Sequence, residues 1–247
     1  MENKNGEYEV IPLSAYETFY FSCSPEISCF NECCRDISQF LTPYDILRLK
    51  NHLGLRSDEF LKQYTTQHTG PETGLPVIVL RQDHASDMKC PFVTSKGCSV
   101  YEDRPSSCRT YPLARLASRS RETGAVTEQY VLLQEEHCKG HFESHQQTVT
   151  DWLKQQGLEI YNKMNDLMME IISLKKQVHP GALDLREKHI FHMALYDSDN
   201  FRTQVFQNNL LEKLDVSPAE LESAGKDDTA LLKLGIQWVK YAVFGMK

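Results

Sequence analysis

Eight cysteines constrain this chain of 247 residues more than any other feature of its sequence. The first residues lack the basic and apolar segments of a signal peptide, so we expect a cytoplasmic protein. Cysteines in that reducing compartment rarely form structural disulfides, and metal binding or redox chemistry is their usual role. The sequence therefore predicts a metal-binding protein, and its candidate ligands are Cys23, Cys29, Cys33, Cys34, Cys90, Cys98, Cys108 and Cys138.

Composition and charge set the broad class. Hydrophobic residues make up 40% of the chain and charged residues 25%, as in ordinary globular proteins. The apolar runs are too short to cross a membrane. The net charge of −7 argues against nonspecific binding to nucleic acid or to an anionic membrane. We therefore expect no nucleic-acid or membrane partner, and another protein remains as the partner or substrate class.

The spacing of the cysteines excludes several familiar metal sites. The first group reads Cys23-x5-Cys29-x3-Cys33-Cys34, and the second group runs from Cys90 to Cys138. Neither group contains the C-x2-C pairs of a zinc ribbon, the cysteine runs of ferredoxins or the C-x3-C-x2-C spacing of radical S-adenosylmethionine enzymes. Side chains of adjacent cysteines diverge, which suits a multinuclear centre, or two neighbouring centres, better than one zinc ion.

Charged residues flank the cysteines. Four thiolates around a metal carry excess negative charge, which nearby cations offset. Arg35 follows Cys34, and Arg104 and Arg109 surround Cys108, so we expect these three arginines to support the bound centre. His137 and His141 flank Cys138, and we interpret them as surface histidines because eight cysteines already fill two four-ligand sites.

The pattern of apolar and capping residues predicts an α+β fold that is mostly helical. Thr42 and Ser57 are candidate helix N-caps. Apolar spacing predicts a helical stretch from Thr148 until Pro180 and Gly181 stop it, with Gly157 as a bend or break, and further helices over 183–196, 198–213, 217–224 and 228–244. Segments 77–81 and 130–134 are predicted strands that pair as a short hairpin, whereas residues 1–41 are expected to be irregular. We expect a cysteine-cluster metal-binding domain over 1–145 and a helical region over 146–247.

Several segments together resemble a known family. They are FSCSPEISCFNECCRD, LTPYDILRLKNHLG, CPFVTSKGCSVYEDRPSSCRTYPLAR and EEHCKGH, followed by the helical DWLKQQGLEIYNKMNDLMMEII. They resemble the YkgJ-type cysteine-cluster family, whose CxxCxxCC core is thought to chelate zinc or iron, and the likeness covers roughly residues 17–175. Here the gaps in that core are five and three residues in place of two and two. The family's ligands carry over to Cys29, Cys33, Cys34, Cys90, Cys98 and Cys108, with Cys138 next.

The resemblance implies metal chelation and leaves the metal open. A related segment occurs in flagellin lysine methylases, which look like iron–sulfur proteins, so an iron–sulfur cluster of the [4Fe–4S] type is favoured and zinc is the alternative. With iron we expect a redox or protein-modification role. With zinc we expect a non-enzymatic protein-binding module. A metal-storage role is a further alternative. Methylase activity does not carry over to this chain because it lacks a G-x-G-x-x-G nucleotide loop, and whether the chain is an enzyme stays open.

Overall fold

The fold is taken from a computed structural model, which describes residues 8–82 and 87–246. The chain divides into two compact units, and neither is continuous in sequence. Unit 1 comprises Met1–Gln39 and Gln82–Lys163, and unit 2 comprises Phe40–Arg81 and Met164–Lys247. The predicted division after residue 145 concerns which part binds metal, and it stays a prediction.

The predicted α+β class is confirmed, because helices cover more of the chain than strands do and the sheets are small. Unit 1 holds most of the strands. Its elements are β1 (Tyr8–Leu13), β2 (Thr18–Tyr20), β6 (Val93–Thr94), β7 (Gly97–Cys98), α3 (Ser106–Thr110), β8 (Leu113–Arg119), β9 (Val126–Glu135), β10 (Gln146–Thr148) and α4 (Val149–Gln155).

An antiparallel sheet in the order β1-β9-β8 organises unit 1. In its register Leu132 of β9 faces Ile11 on one side and Leu113 on the other. Its apolar side chains form a core with those of β2 and α4, and the fully buried members include Phe19, Leu113 and Val149. Cys138 belongs to the same core, so one of the candidate ligands is packed into the apolar core of unit 1.

The predicted hairpin between 77–81 and 130–134 is wrong, although both segments are strands. Segment 77–81 pairs with the strands Phe40–Leu41 and Thr65–Thr69 in unit 2, and segment 130–134 lies in β9 between β1 and β8 in unit 1. A short turn joins each of the two segments to one of its partner strands. For β9 that turn is 120–125, where Gly124 has a φ of 71°. Closing a short loop costs less entropy than closing a long one, so the local pairings win.

The expectation that residues 1–41 are irregular is wrong in part. Strands β1 and β2 lie in this segment, and Phe40–Leu41 form β3. The sequence YEVIPL alternates imperfectly and carries a proline, which obscured the first strand. Pro12 is tolerated because β1 is an edge strand, where one side of the backbone needs no partner.

Unit 2 is mainly helical and contains a small sheet in the order β3-β5-β4. Its elements are β3, α1 (Pro43–Leu53), α2 (Ser57–Tyr64), β4 (Thr65–Thr69), β5 (Pro76–Leu80), the greater part of α5 (Leu158–Val178), α6 (Leu185–Leu195), α7 (Ser198–Gln207), α8 (Pro218–Lys226) and α9 (Asp228–Phe244). No helix in the part of the chain that the structure describes is both long and apolar enough to span a membrane.

Helix boundaries follow their capping residues. Thr42 accepts a hydrogen bond from the Asp45 backbone N–H, and Gly54 ends α1 in a left-handed conformation, as predicted. The prediction of Ser57 as an N-cap is wrong, since the helix is preceded by Arg56 and Ser57 is its first residue. The helix predicted to reach 213 ends at Gln207, followed by Asn209 with a φ of 51°.

A buried charge network stabilises unit 2. The Lys50 ammonium is 3.2 Å from the Asp199 carboxylate and 3.5 Å from that of Asp228, and Arg202 also pairs with Asp228. Burial alone would raise the pKa of Asp199, but the Ser57 N–H and the Lys50 ammonium outweigh burial and lower it. The network therefore links α1 to the helices that follow α6.

Truncating Lys50 tests this network. We expect Lys50→Ala to lower the free energy of unfolding by about 2 kcal/mol, because two half-buried carboxylates lose their cation. The matched control is Lys226→Ala, which breaks the exposed i,i+4 pair with Glu222 and is expected to cost less than about 0.5 kcal/mol. Urea unfolding followed by circular dichroism measures both, and equal losses would contradict the assignment.

The same network predicts acid sensitivity. The folded-state pKa values of Asp199 and Asp228 are lowered, so their contribution to stability is present at neutral pH and is lost as the pH falls below about 4. We expect Asp199→Asn to show a shallower loss of stability between neutral and acidic pH than the wild-type chain. Parallel pH profiles of unfolding free energy for the two proteins would count against this prediction.

Candidate metal centre

All eight cysteines lie in unit 1, and all are free thiols. They occupy short connecting segments and element ends, where side chains can converge without disturbing a sheet. Cys33 and Cys34 end a one-turn 3₁₀-helix, Glu32–Cys34. Cys138 is buried and Cys23 is exposed, while the other six are partly buried.

The first neighbourhood of thiols contains Cys23, Cys29, Cys33 and Cys138. The Ser22 N–H donates to the Gly140 carbonyl at 3.1 Å, which sets Cys23 beside the turn that carries Cys138. From that turn the Lys139 N–H donates to Sγ of Cys29 at 3.1 Å. Burial raises the pKa of Cys23 to about 11, and the three neighbouring thiols add to this rise. The mutual effect shows that these four sulfurs are electrostatic neighbours.

Gly140 permits this close approach. A Cβ at that position would lie 2.5 Å from the Ser22 carbonyl oxygen and 2.8 Å from the Phe21 ring. Any other residue would therefore push the two segments apart.

The second neighbourhood contains Cys34, Cys90, Cys98 and Cys108. The Cys90 N–H donates to the Cys34 carbonyl at 2.9 Å, and Asp36 and Met88 pair in the same antiparallel manner at 3.1 Å. The β6-β7 hairpin places Val93 opposite Cys98, which brings Cys98 back towards Cys90. The thiol of Cys108 donates to Oε1 of Gln39 at 3.4 Å.

The adjacent thiols Cys33 and Cys34 join the two neighbourhoods. Their side chains are hydrogen-bonded to one another, and this bond lowers the pKa of Cys33 to about 7. The same bond, followed by burial and the thiols of Cys90 and Cys108, raises the pKa of Cys34 far above its ordinary value. Cys33 is therefore the thiol of this pair that ionises first.

Backbone N–H groups are directed at four of the sulfurs. Cys90 faces the N–H groups of Phe92 and Val93, Cys98 faces that of Val100, and Cys138 faces that of Gly140. For each of these three sulfurs a donor comes from the residue two positions later in the chain. The fourth sulfur, that of Cys29, accepts from the Lys139 N–H. Burial still raises the pKa values of Cys90, Cys98 and Cys138. Such donors stabilise a thiolate once a metal has displaced its proton.

Two buried arginines adjoin the second neighbourhood. Arg104 and Arg109 are only 8% and 9% exposed. Their guanidinium groups donate to backbone carbonyls and to Gln156, and they lie over the rings of Tyr101 and Tyr161. Among residues 8–82 and 87–246 neither forms an ion pair with a carboxylate. Burial lowers the pKa of Arg104, whereas the thiols of Cys108 and Cys98 act to raise it.

Arg35 has a different environment from the one expected. It pairs with Asp87 and lies 3.5 Å from Glu32, so its charge is already balanced by carboxylates at a partly exposed site. Its predicted support of a bound centre stays a prediction.

Buried polar groups adjoin Cys138, and sequence reasoning did not find them. The Tyr111 hydroxyl and both ring nitrogens of His141 are buried, and the hydroxyl lies beside the Cys138 thiol. Burial, the nearby Cys138 thiol and the Glu135 carboxylate raise the pKa of Tyr111, and burial lowers that of His141. The interpretation of surface histidines suits the exposed His137 better than His141, whose ring packs on Phe21 at 5.4 Å. The spacing His-Cys-x2-His was the sequence feature that could have placed His141 beside Cys138.

The thiols are suitable ligands for a metal centre, although their sulfur atoms do not converge on one position. Within the described residues, no three Cys, His, Asp or Glu side chains are arranged to hold a single ion. The thiols are thus grouped in two neighbourhoods, with N–H donors and buried cations beside them. Which of the eight are ligands stays a prediction.

Comparison with known proteins agrees with this chemistry. A family model named CxxCxxCC, with the description "Putative zinc- or iron-chelating domain", matches residues 22–141. Four cysteines of this range precede the first segment of unit 2, and four follow it. Neither the curated proteins nor the solved structures gave a match. The matched range holds every cysteine of the chain, and over residues 22–141 the chain is similar to the CxxCxxCC family.

Proposed function

We propose that unit 1 binds an iron–sulfur cluster, of the [4Fe–4S] type, and that the protein has a redox or protein-modification role. The observation that carries this proposal is the gathering of all eight thiols in one compact unit, with peptide N–H groups directed at four of the sulfurs. Hydrogen bonds to cysteine sulfurs tune the reduction potential of a bound cluster. A cluster of this kind supplies one-electron transfer.

The buried arginines support an anionic centre. A buried cation is costly unless a negative group balances it. Arg104 has no carboxylate partner among the described residues, and its charged neighbours include the thiols of Cys98 and Cys108. Four thiolates around either a zinc ion or a [4Fe–4S] cluster leave a net negative charge. Thiolate ligation would therefore balance a guanidinium that otherwise lies buried with only dipoles around it.

The spacing of the donors favours a cluster over a single zinc ion. Tetrahedral zinc with Zn–S bonds of about 2.3 Å needs sulfurs roughly 4 Å apart. No three donors of the described chain are arranged to hold a single ion, whereas a polynuclear cluster spans wider gaps. The adjacent Cys33 and Cys34 suit a multinuclear centre, or two neighbouring centres, better than one tetrahedral ion.

The residues around the thiols would protect a bound cluster. Phe92 and Phe21 are almost fully buried, and the ring of Tyr111 packs edge-on against Phe21. Limited access of water is one of the levers by which proteins set cluster potential. The alternative, a zinc-stabilised module without enzymatic activity, uses the same thiols and predicts no redox signal. A protein partner or substrate remains a prediction from the sequence.

The identity of the metal gives the first test. Protein purified without oxygen should be brown, with absorption near about 400 nm that bleaches on addition of dithionite, and should contain iron and acid-labile sulfide. Absorption spectroscopy combined with metal and sulfide analysis measures this. Colourless protein that holds stoichiometric zinc would support the zinc-stabilised module in its place.

Replacing Arg104 tests charge compensation. We expect Arg104→Met to weaken metal retention about tenfold to a hundredfold in competition with a chelator, because the anionic centre loses its buried cation. Arg115→Met is the matched control, since Arg115 already pairs with Glu128 at 2.7 Å, and its metal retention should match that of the wild-type chain. Equal retention by all three proteins would show that Arg104 does not balance the centre.

A further inference from the structure

The two neighbourhoods of thiols each contain four sulfurs, which is the ligand number of one zinc ion or one [4Fe–4S] cluster. We propose that they form two separate metal centres, and that the boundary between them falls between the adjacent residues Cys33 and Cys34. This inference rests on the proposed metal binding. The Cys33 centre has the ligands Cys23, Cys29, Cys33 and Cys138, and the Cys34 centre has the ligands Cys34, Cys90, Cys98 and Cys108.

Backbone hydrogen bonds assemble the Cys33 centre from both ends of unit 1. The Ser22–Gly140 bond and the Lys139–Cys29 bond join the segment after β2 to the turn after β9. Gly140 lets these segments touch, since a side chain there would meet the Ser22 backbone. The turn after β9 therefore belongs to the Cys33 centre.

A different set of backbone contacts assembles the Cys34 centre. The bonds Cys90–Cys34 and Asp36–Met88 run the chain after Cys34 antiparallel to the chain before Cys90. The β6-β7 hairpin then returns Cys98 to the same place, where the Ser99 N–H donates to the Phe92 carbonyl at 2.8 Å. Cys108, the fourth thiol of this centre, lies in α3, and Arg104 adjoins both Cys108 and Cys98.

The short 3₁₀-helix explains how neighbouring residues serve different centres. A 3₁₀-helix has three residues per turn, so consecutive side chains point about 120° apart. Cys33 and Cys34 are the last two residues of the helix Glu32–Cys34. Their thiols are hydrogen-bonded to one another, and beyond this pair Cys33 neighbours the thiols of Cys23 and Cys138, whereas Cys34 neighbours those of Cys90 and Cys108. Their mutual hydrogen bond needs a thiol proton. Since metal binding removes both protons, that bond is replaced by one metal–sulfur bond on each side.

The two centres differ in their exposure. The Cys33 centre includes Cys23, which is exposed, whereas all four thiols of the Cys34 centre are partly buried. The buried Arg104 does not distinguish them, because it acts on Cys98 and Cys108 and also on Cys23. The exposure of Cys23 should let a chelator remove metal from the Cys33 centre before it removes metal from the Cys34 centre.

Serine variants of the full chain separate the two centres. The variants Cys33→Ser and Cys34→Ser, each prepared without oxygen, should retain half of the wild-type iron or zinc. Cys23→Ser combined with Cys33→Ser removes two ligands of one centre and should also retain half. Cys33→Ser combined with Cys98→Ser removes one ligand from each centre and should retain none. Metal analysis per folded chain, with circular dichroism as the check on folding, gives these values.

Other outcomes overturn the inference. Complete metal loss in every single variant would indicate one centre that uses all eight thiols, and full retention in either Cys33→Ser or Cys34→Ser would remove that residue from the ligands. Wild-type protein without iron or zinc would defeat the proposed function itself, which is a separate result. For variants that fail to fold, chelator titration of the wild-type chain decides, since release in two equal steps supports two centres and release in one step contradicts them.

Discussion

Backbone pairing between remote segments is the constraint on which the rest of the structure depends. Thiols distant in sequence become neighbours because Cys90 pairs with Cys34 and Gly140 pairs with Ser22 through peptide hydrogen bonds. These bonds fix the main chain without using the cysteine side chains. Ordering such segments costs conformational entropy, and the sheet core that contains Cys138 helps to offset it.

Charge is arranged around the thiols in a way that an ordinary protein interior does not require. Arg104 and Arg109 are buried against carbonyls and aromatic rings, with no carboxylate partner in the described chain. In unit 2, by contrast, the buried Lys50 has two carboxylate partners. Thiolate ligation of the proposed metal would give the two arginines of unit 1 a comparable negative partner.

The sequence predicted features that depend on local interactions, such as helix caps, and it did not predict which distant segments pair. Thr42, Pro43 and Gly54 mark α1 because caps act within one turn. The pairing of β9 with β8 was missed because it depends on the turn between them, and the pairing with β1 was missed because β1 lies far from β9 along the chain. For the site, the cysteines were visible as a set, but their division into two neighbourhoods was not. Spacing along the chain carries no information about the Ser22–Gly140 contact, and nothing in the residue types revealed the buried Tyr111 hydroxyl beside Cys138.

The central claim is that cysteine sulfurs of unit 1 ligate a metal. X-ray absorption spectroscopy on protein prepared without oxygen tests it most directly, because the method reports the atoms bonded to the metal. The account predicts iron with sulfur as its only bonded neighbour, at about 2.3 Å, and a second iron close by. A metal bonded mainly to nitrogen or oxygen, or a chain that holds no metal at all, would contradict it.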